Sequence, residues 1–130
     1  MTYTIERLDD MPVALGVWHQ DFDFMRDSRA YSADMRTLLD QQESPVFYVL
    51  DMSAYKTMSL EELIDASNLA ARGKNANFHH PMVRQILLIS TDKGVEISVQ
   101  GLRTEAFGNA DTLVFPTRED ALAYVAQQLS

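Results

Sequence analysis

Residues 46–73, VFYVLDMSAYKTMSLEELIDASNLAARG, hold the most regular pattern in the chain. Residues 46–50 are a continuous apolar run, rich in β-branched and aromatic side chains and too short for a helix, and read as a strand buried on both faces. The run stops at Asp51. After a polar link a helix begins at Ser59, whose hydroxyl can accept from the backbone N–H three residues on while Glu62 reaches back, the two halves of a capping box. Leu60, Leu63, Ile64 and Ala71 share one side of that helix, which predicts its core face, and Gly73 supplies the left-handed stop. Strand, link and helix make half of a βαβ unit, with the link at the end where open α/β sheets bind ligands.

Upstream, Tyr3 and Ile5 alternate before an Asp9-Asp10 turn, and Val13, Leu15 and Val17 alternate with Ala14, Gly16 and Trp18. These two segments predict a hairpin, its second strand covered on both faces, which the alternation at residues 21–24 extends. Between residues 25 and 42 the period becomes helical, with Tyr31, Met35, Leu38 and Leu39 on one side, Asp27 or Ser28 as the cap and Pro45 as the end. Downstream, residues 74–81 (KNANFHHP) have no period and read as the longest loop, and residues 83–90 as a buried strand parallel to the first. Residues 95–107 fit two patterns: Val95, Ile97 and Val99 alternate as in a strand, while Val95, Val99, Leu102 and Ala106 match a helical stripe. The length a parallel crossover needs favours the helix. Residues 113–115 are a short strand, and Thr117 with Asp120 opens a last helix whose apolar side is Ala121, Leu122, Val125 and Leu129. The order is ββαβαβαβα, an α/β mixed sheet of about five strands and about four helices in one domain over residues 1–130.

The totals narrow the function. Eleven Lys and Arg against nineteen Asp and Glu leave a formal charge of −8, which repels a nucleic-acid backbone. The absence of cysteine excludes a disulfide framework, a thiolate metal site and a cysteine nucleophile. The amino terminus has no basic segment followed by an apolar run, and no stretch approaches the roughly 20 apolar residues of a membrane span, so a cytoplasmic location is expected.

Three stretches carry a family resemblance: Leu50-Asp51-Met52-Ser53, the helix-opening Ser59, and VFPTREDALAYV at residues 114–125. With the order of elements they resemble the STAS domain, the family of anti-sigma-factor antagonists and of the cytoplasmic domains of sulphate transporters, over nearly the whole chain. The similarity is greatest to its free-standing bacterial members. In that family an aspartate directly precedes a phosphorylatable serine, and a small residue and a glycine follow it. Here the stretch reads Thr57-Met58-Ser59-Leu60-Glu61, with the serine in place and the aspartate and glycine absent. The resemblance implies a non-catalytic regulatory or protein-interaction module acting through the loop and helix start at Ser59. Ser59 would be the phospho-acceptor, and Asp51, Ser53, Lys56, Thr57 and Met58 would lie beside it. An N-cap alone also accounts for Ser59, and solvation for Lys56.

Other residues have chemistry without a pattern. His79 and His80 are adjacent imidazoles, but adjacent residues face apart and no third ligand stands at motif spacing, so no metal is expected. No nucleophile near them suggests an enzyme. The carboxylates show no paired catalytic spacing, and the glycines form no phosphate-cradling loop, so no cofactor is implied. Trp18, Phe22, Phe24, Tyr48 and Phe78 are either core or the lining of a pocket for a small apolar, lipid-like ligand. The expected partner is another protein, with such a ligand as the alternative, and a homodimer stands open.

Overall fold

The computed structural model describes residues 2–55, 57–73 and 76–130. Five strands, β1 (Tyr3–Arg7), β2 (Val13–Trp18), β3 (Val46–Asp51), β4 (Val83–Ile89) and β5 (Thr112–Phe115), form one sheet in that same spatial order. The first pair is an antiparallel hairpin, and every later pairing is parallel. Helices α1 (Phe24–Asp40), α2 (Leu60–Ala71) and α3 (Lys93–Leu102) connect the parallel strands, and α4 (Arg118–Leu129) follows β5. The mixed sheet with four helices is the predicted ββαβαβαβα order. Among the described residues no helix is long and apolar enough to cross a membrane.

The register divides the core. Val13, Leu15, Phe47, Val49, Leu87 and Ile89 point to one face, where Ala121 and Val125 of α4 cover them. Ala14, Trp18, Tyr48, Leu50, Ile86 and Leu88 point to the other, beneath α1, α2 and α3. That asymmetry follows from strand order. Right-handed crossovers that always step in one direction place every connecting helix on the same face. All six residues of β3 are buried, as its unbroken apolar run predicts, and each large side chain so covered contributes roughly 1.5–3 kcal/mol. Because the order never reverses, the sheet has no switch-point crevice, and a ligand at the β3–α2 link has to be held by the links themselves.

Local chemistry moved several boundaries. Residues 21–24 do not extend β2: Phe22 folds back to stack on Trp18, with ring centroids 4.4 Å apart, and Asp23, not Asp27 or Ser28, caps α1 by accepting from the Arg26 N–H. Ser28 lies inside α1, beyond its first turn, and is buried. Residues 95–102 are helical, within α3, and residues 105–107 form a single 3-10 turn. The segment expected to be an unpatterned loop contains another such turn at Asn77–His79, because Asn77 and Phe78 are buried against the helices. Gly73 has φ +92°, the left-handed conformation expected after α2. Leu129, predicted on the core side of α4, is exposed in its last turn, while Ala121 and Val125 are fully buried.

Candidate functional site

Asp51 ends β3 with its side chain only 7% exposed. Its Oδ1 accepts from the Ser53 N–H at 2.9 Å and the Ser53 hydroxyl at 2.6 Å, and its Oδ2 accepts from Arg118 Nε and Nη2 at 3.0 and 2.8 Å. Burial pushes this carboxyl up, but the Ser53 and Arg118 hydrogen bonds outweigh it and hold the group below the usual aspartate range. With both oxygens committed, Asp51 clamps the start of α4 to the end of β3. Arg118 was not singled out from the sequence. The available signal is its place in a helical first turn, where a cation opposes the helix dipole unless a partner holds it.

Of the remaining residues expected around Ser59, Met58 is buried, and its N–H donates to Asp92 Oδ2 at 3.1 Å, tying the link to the cap of α3. Lys56 lies outside the described residues. Ser53, Thr57 and Ser59 are exposed. The capping box is complete: the Glu62 N–H donates to Ser59 Oγ, and the Ser59 N–H to Glu62 Oε1, both at 3.1 Å. A cap of this kind contributes about 1 kcal/mol.

The helix it opens is rotated from expectation. Leu60 and Ile64, predicted on the core face, are 74% and 53% exposed. Leu63 and Ala71 face the core as expected, joined there by Ala66, Leu69 and Ala70 in place of the exposed pair. The apolar arc of α2 is wider than the face it can bury, and the stripe containing small alanines lets the helix approach the sheet most closely.

Beneath α2 an apolar cavity of about 70 Å³ lies between the sheet and the helices. Four of the five residues predicted as a pocket, Trp18, Phe24, Tyr48 and Phe78, line it. Phe22 does not, since it stacks behind Trp18. Two lining residues hold buried polar atoms, Trp18 Nε1 and Asn77 Oδ1, that have no hydrogen-bond partner among the described residues. A buried polar group without a partner costs about 1–3 kcal/mol. Two further lining residues, Tyr31 and Tyr48, share a 2.7 Å hydroxyl–hydroxyl bond. Burial first, then the neighbouring phenol, pushes Tyr31 well up, and burial raises Tyr48, so both stay protonated. The pair therefore holds two protons and uses one on itself. The sequence offered no sign of Asn77, an asparagine amid a polar run.

A second recess, of about 150 Å³, opens between the β3–α2 and β4–α3 links and is lined by Ser53, Tyr55, Thr57, Ser90, Thr91 and Asp92. It shares Met52, Met58 and Val95 with the apolar cavity, so the two are neighbours. The adjacent histidines serve other places. His79 Nε2 meets the Phe107 carbonyl at 2.8 Å, while His80 accepts the Met82 N–H on Nδ1 and donates from Nε2 to Asp40 at 2.7 Å. Among the described residues no cluster of three or more His, Asp or Glu could hold a metal ion.

No protein-family model matches the chain, and no curated protein matches it. Solved structures do. An uncharacterized protein of the DUF3478 family with a SpoIIAA-like fold, from Shewanella loihica PV-4, aligns over 95% of this chain and 91% of its own, with 16% identity and a TM-score of 0.56. An anti-sigma factor antagonist from Mycobacterium paratuberculosis aligns over 95% of this chain and 94% of its own, with 22% identity and a TM-score of 0.53. These likenesses over nearly the whole chain, with its own mixed five-stranded sheet, give this chain the SpoIIAA-like fold that the STAS resemblance implied.

Proposed function

We propose that the chain is a non-catalytic regulatory module that docks a protein partner on the start of α2, around Ser59. The observation that supports this is the exposed pair Leu60 and Ile64, one turn apart beside Ser59 on a helix whose core face is already filled by other residues. Paired apolar side chains left in water at a helix start favour a contact that removes them from it, at about 25 cal/mol per Å². The name of the mycobacterial neighbour, an anti-sigma factor antagonist, supports a protein in that role. Glu61 is exposed beside the pair, and the chain carries a formal charge of −8, so an acidic surface is repelled and the complementary surface is an apolar one.

The test compares wild type with Leu60→Asp/Ile64→Asp for binding to a partner purified from the native lysate. The double variant is expected to bind at least about tenfold more weakly. Its melting temperature should stay near the wild-type value, since neither side chain is buried. Equal binding by the variant, or repeated failure to recover a partner, rejects the reading. A self-association that the variant abolishes in sedimentation would replace the partner with a second copy of the chain.

In this reading Ser59 is also the phospho-acceptor, since it is exposed and stands at a helix start, whose dipole favours a phosphate's negative charge. A phosphate adds about −1.5 to −2 charges beside Glu61 and Glu62, and is expected to weaken an apolar docking contact by about tenfold. Intact-mass measurement after incubation with lysate and ATP, followed by binding of the modified form, checks this. Phosphate found only on other residues counts against it.

The cavity supports a second reading, a carrier of a small apolar ligand. Native mass spectrometry of freshly purified protein separates the two, because a carrier arrives with extra bound mass.

A further inference from the structure

The apolar cavity and the hydroxyl-lined recess are neighbours that share three side chains, Met52, Met58 and Val95. Their linings differ sharply. The inner cavity is walled mainly by aromatic and aliphatic groups, with Ser28, Ser32, Ser67 and Ser98 among them, and holds two buried polar atoms, Trp18 Nε1 and Asn77 Oδ1, without partners among the described residues. The outer recess offers the hydroxyls of Ser53, Thr57, Ser90 and Thr91. Unbranched methionines between them can swing without breaking a hydrogen bond, which suits a gate more than a wall.

From this arrangement we infer that the two form one site for a small neutral amphiphile: a short alkyl group in the inner cavity and a hydroxyl-bearing head in the recess. This rests on the carrier reading and narrows it. Size sets the first limit. The inner cavity of about 70 Å³ is about half the roughly 150 Å³ that admits a benzene ring, so it takes a group of a few carbons and not a long acyl chain. Charge sets the second. Asp92 stands in the recess with Oδ1 and Oδ2 accepting from the Gly94 and Met58 N–H groups, and a carboxylate there repels an anionic head. Hydrogen bonding sets the third. The Trp18 N–H and the unspent phenolic proton of the Tyr31–Tyr48 pair belong to the lining of the inner cavity and call for an acceptor oxygen on the group that enters it, such as an ester oxygen.

Trp18 is the single tryptophan in the chain, so its indole N–H gives one assignable signal from within the site. The probe is monobutyrin, a neutral diol with a butyryl tail, titrated against ¹⁵N-labelled protein beside butyrate and glycerol. Monobutyrin is expected to shift the indole signal saturably, with butyrate and glycerol at least about tenfold weaker. Ala70→Leu fills the inner cavity and should weaken monobutyrin by about tenfold, and Thr91→Val removes a recess hydroxyl and should weaken it by about threefold. Thr91 is exposed, so that variant tests the site even if Ala70→Leu fails to fold. Absence of a saturable shift, an equal response to butyrate or glycerol, or wild-type binding by Thr91→Val overturns the inference. Bound mass in native spectra without a monobutyrin response also overturns it while leaving the carrier reading in place.

Discussion

Gly16→Ala is expected to destabilise the protein by about 3 kcal/mol or more, at or beyond the roughly 1–3 kcal/mol of ordinary core overpacking. A Cβ at this position in β2 would lie 2.0 Å from the Tyr31 hydroxyl oxygen and within 2.9 Å of two of its ring carbons. Tyr31 has nowhere to withdraw. Its ring is held edge-on by Tyr3, Trp18 and Phe22, with centroids at 5.5, 5.8 and 6.3 Å, and its hydroxyl is bonded to Tyr48. Thermal melting should fall by roughly 10 °C or more for a chain of this size. The double variant Gly16→Ala/Tyr31→Phe should recover only part of the loss, because removing the hydroxyl deletes the closest contact but leaves the ring carbons at 2.8 and 2.9 Å. A denaturant midpoint for Gly16→Ala close to that of wild type would show that Tyr31 can move, and would refute this account.

Asp51→Asn is the next largest expected effect, about 2 kcal/mol lost near neutral pH, the range for hydrogen bonds to a charged group. The substitution keeps the shape but places an amide opposite the Arg118 guanidinium, where Oδ2 accepted two bonds. The pH dependence carries the sign. The folded carboxyl is held below its unfolded value, so its stabilisation is fully present above about pH 4 and is lost as pH falls through the folded value. Wild type and Asp51→Asn should therefore differ most above that pH and converge in acid. Asp27, also held low by its hydrogen bonds with Arg26, weakens both proteins alike in acid. Urea melts across a pH series read the difference. Curves that stay parallel down to strong acid would show that the Asp51 charge contributes nothing.

The elements that sequence made legible are those with one dominant period. The runs at residues 46–50 and 86–89 are strands because a short contiguous apolar stretch bounded by polar residues has no other economical burial, and Ser59 with Glu62 marked a helix start through local hydrogen bonds alone. Where two readings shared the same residues, tertiary packing decided. The α2 helix carries apolar side chains over a wider arc than it buries, and nothing local ranks Leu60 and Ile64 below Ala66 and Ala70. The alanines win because of what the helix must approach. The candidate site was legible in its aromatic lining, since Trp18, Phe24, Tyr48 and Phe78 do meet, but not in its polar members. Asn77 and Arg118 acquire meaning only from groups distant in sequence, Ser32 at one and Asp51 at the other.

The sheet whose strands lie in chain order has a bearing on how the protein is made. Each segment leaving the ribosome finds its docking edge already assembled and open, and none has to be threaded between two neighbours laid down earlier. Growth is by accretion, one strand and one covering helix at a time, so every long-range closure is among the shortest that parallel pairing allows.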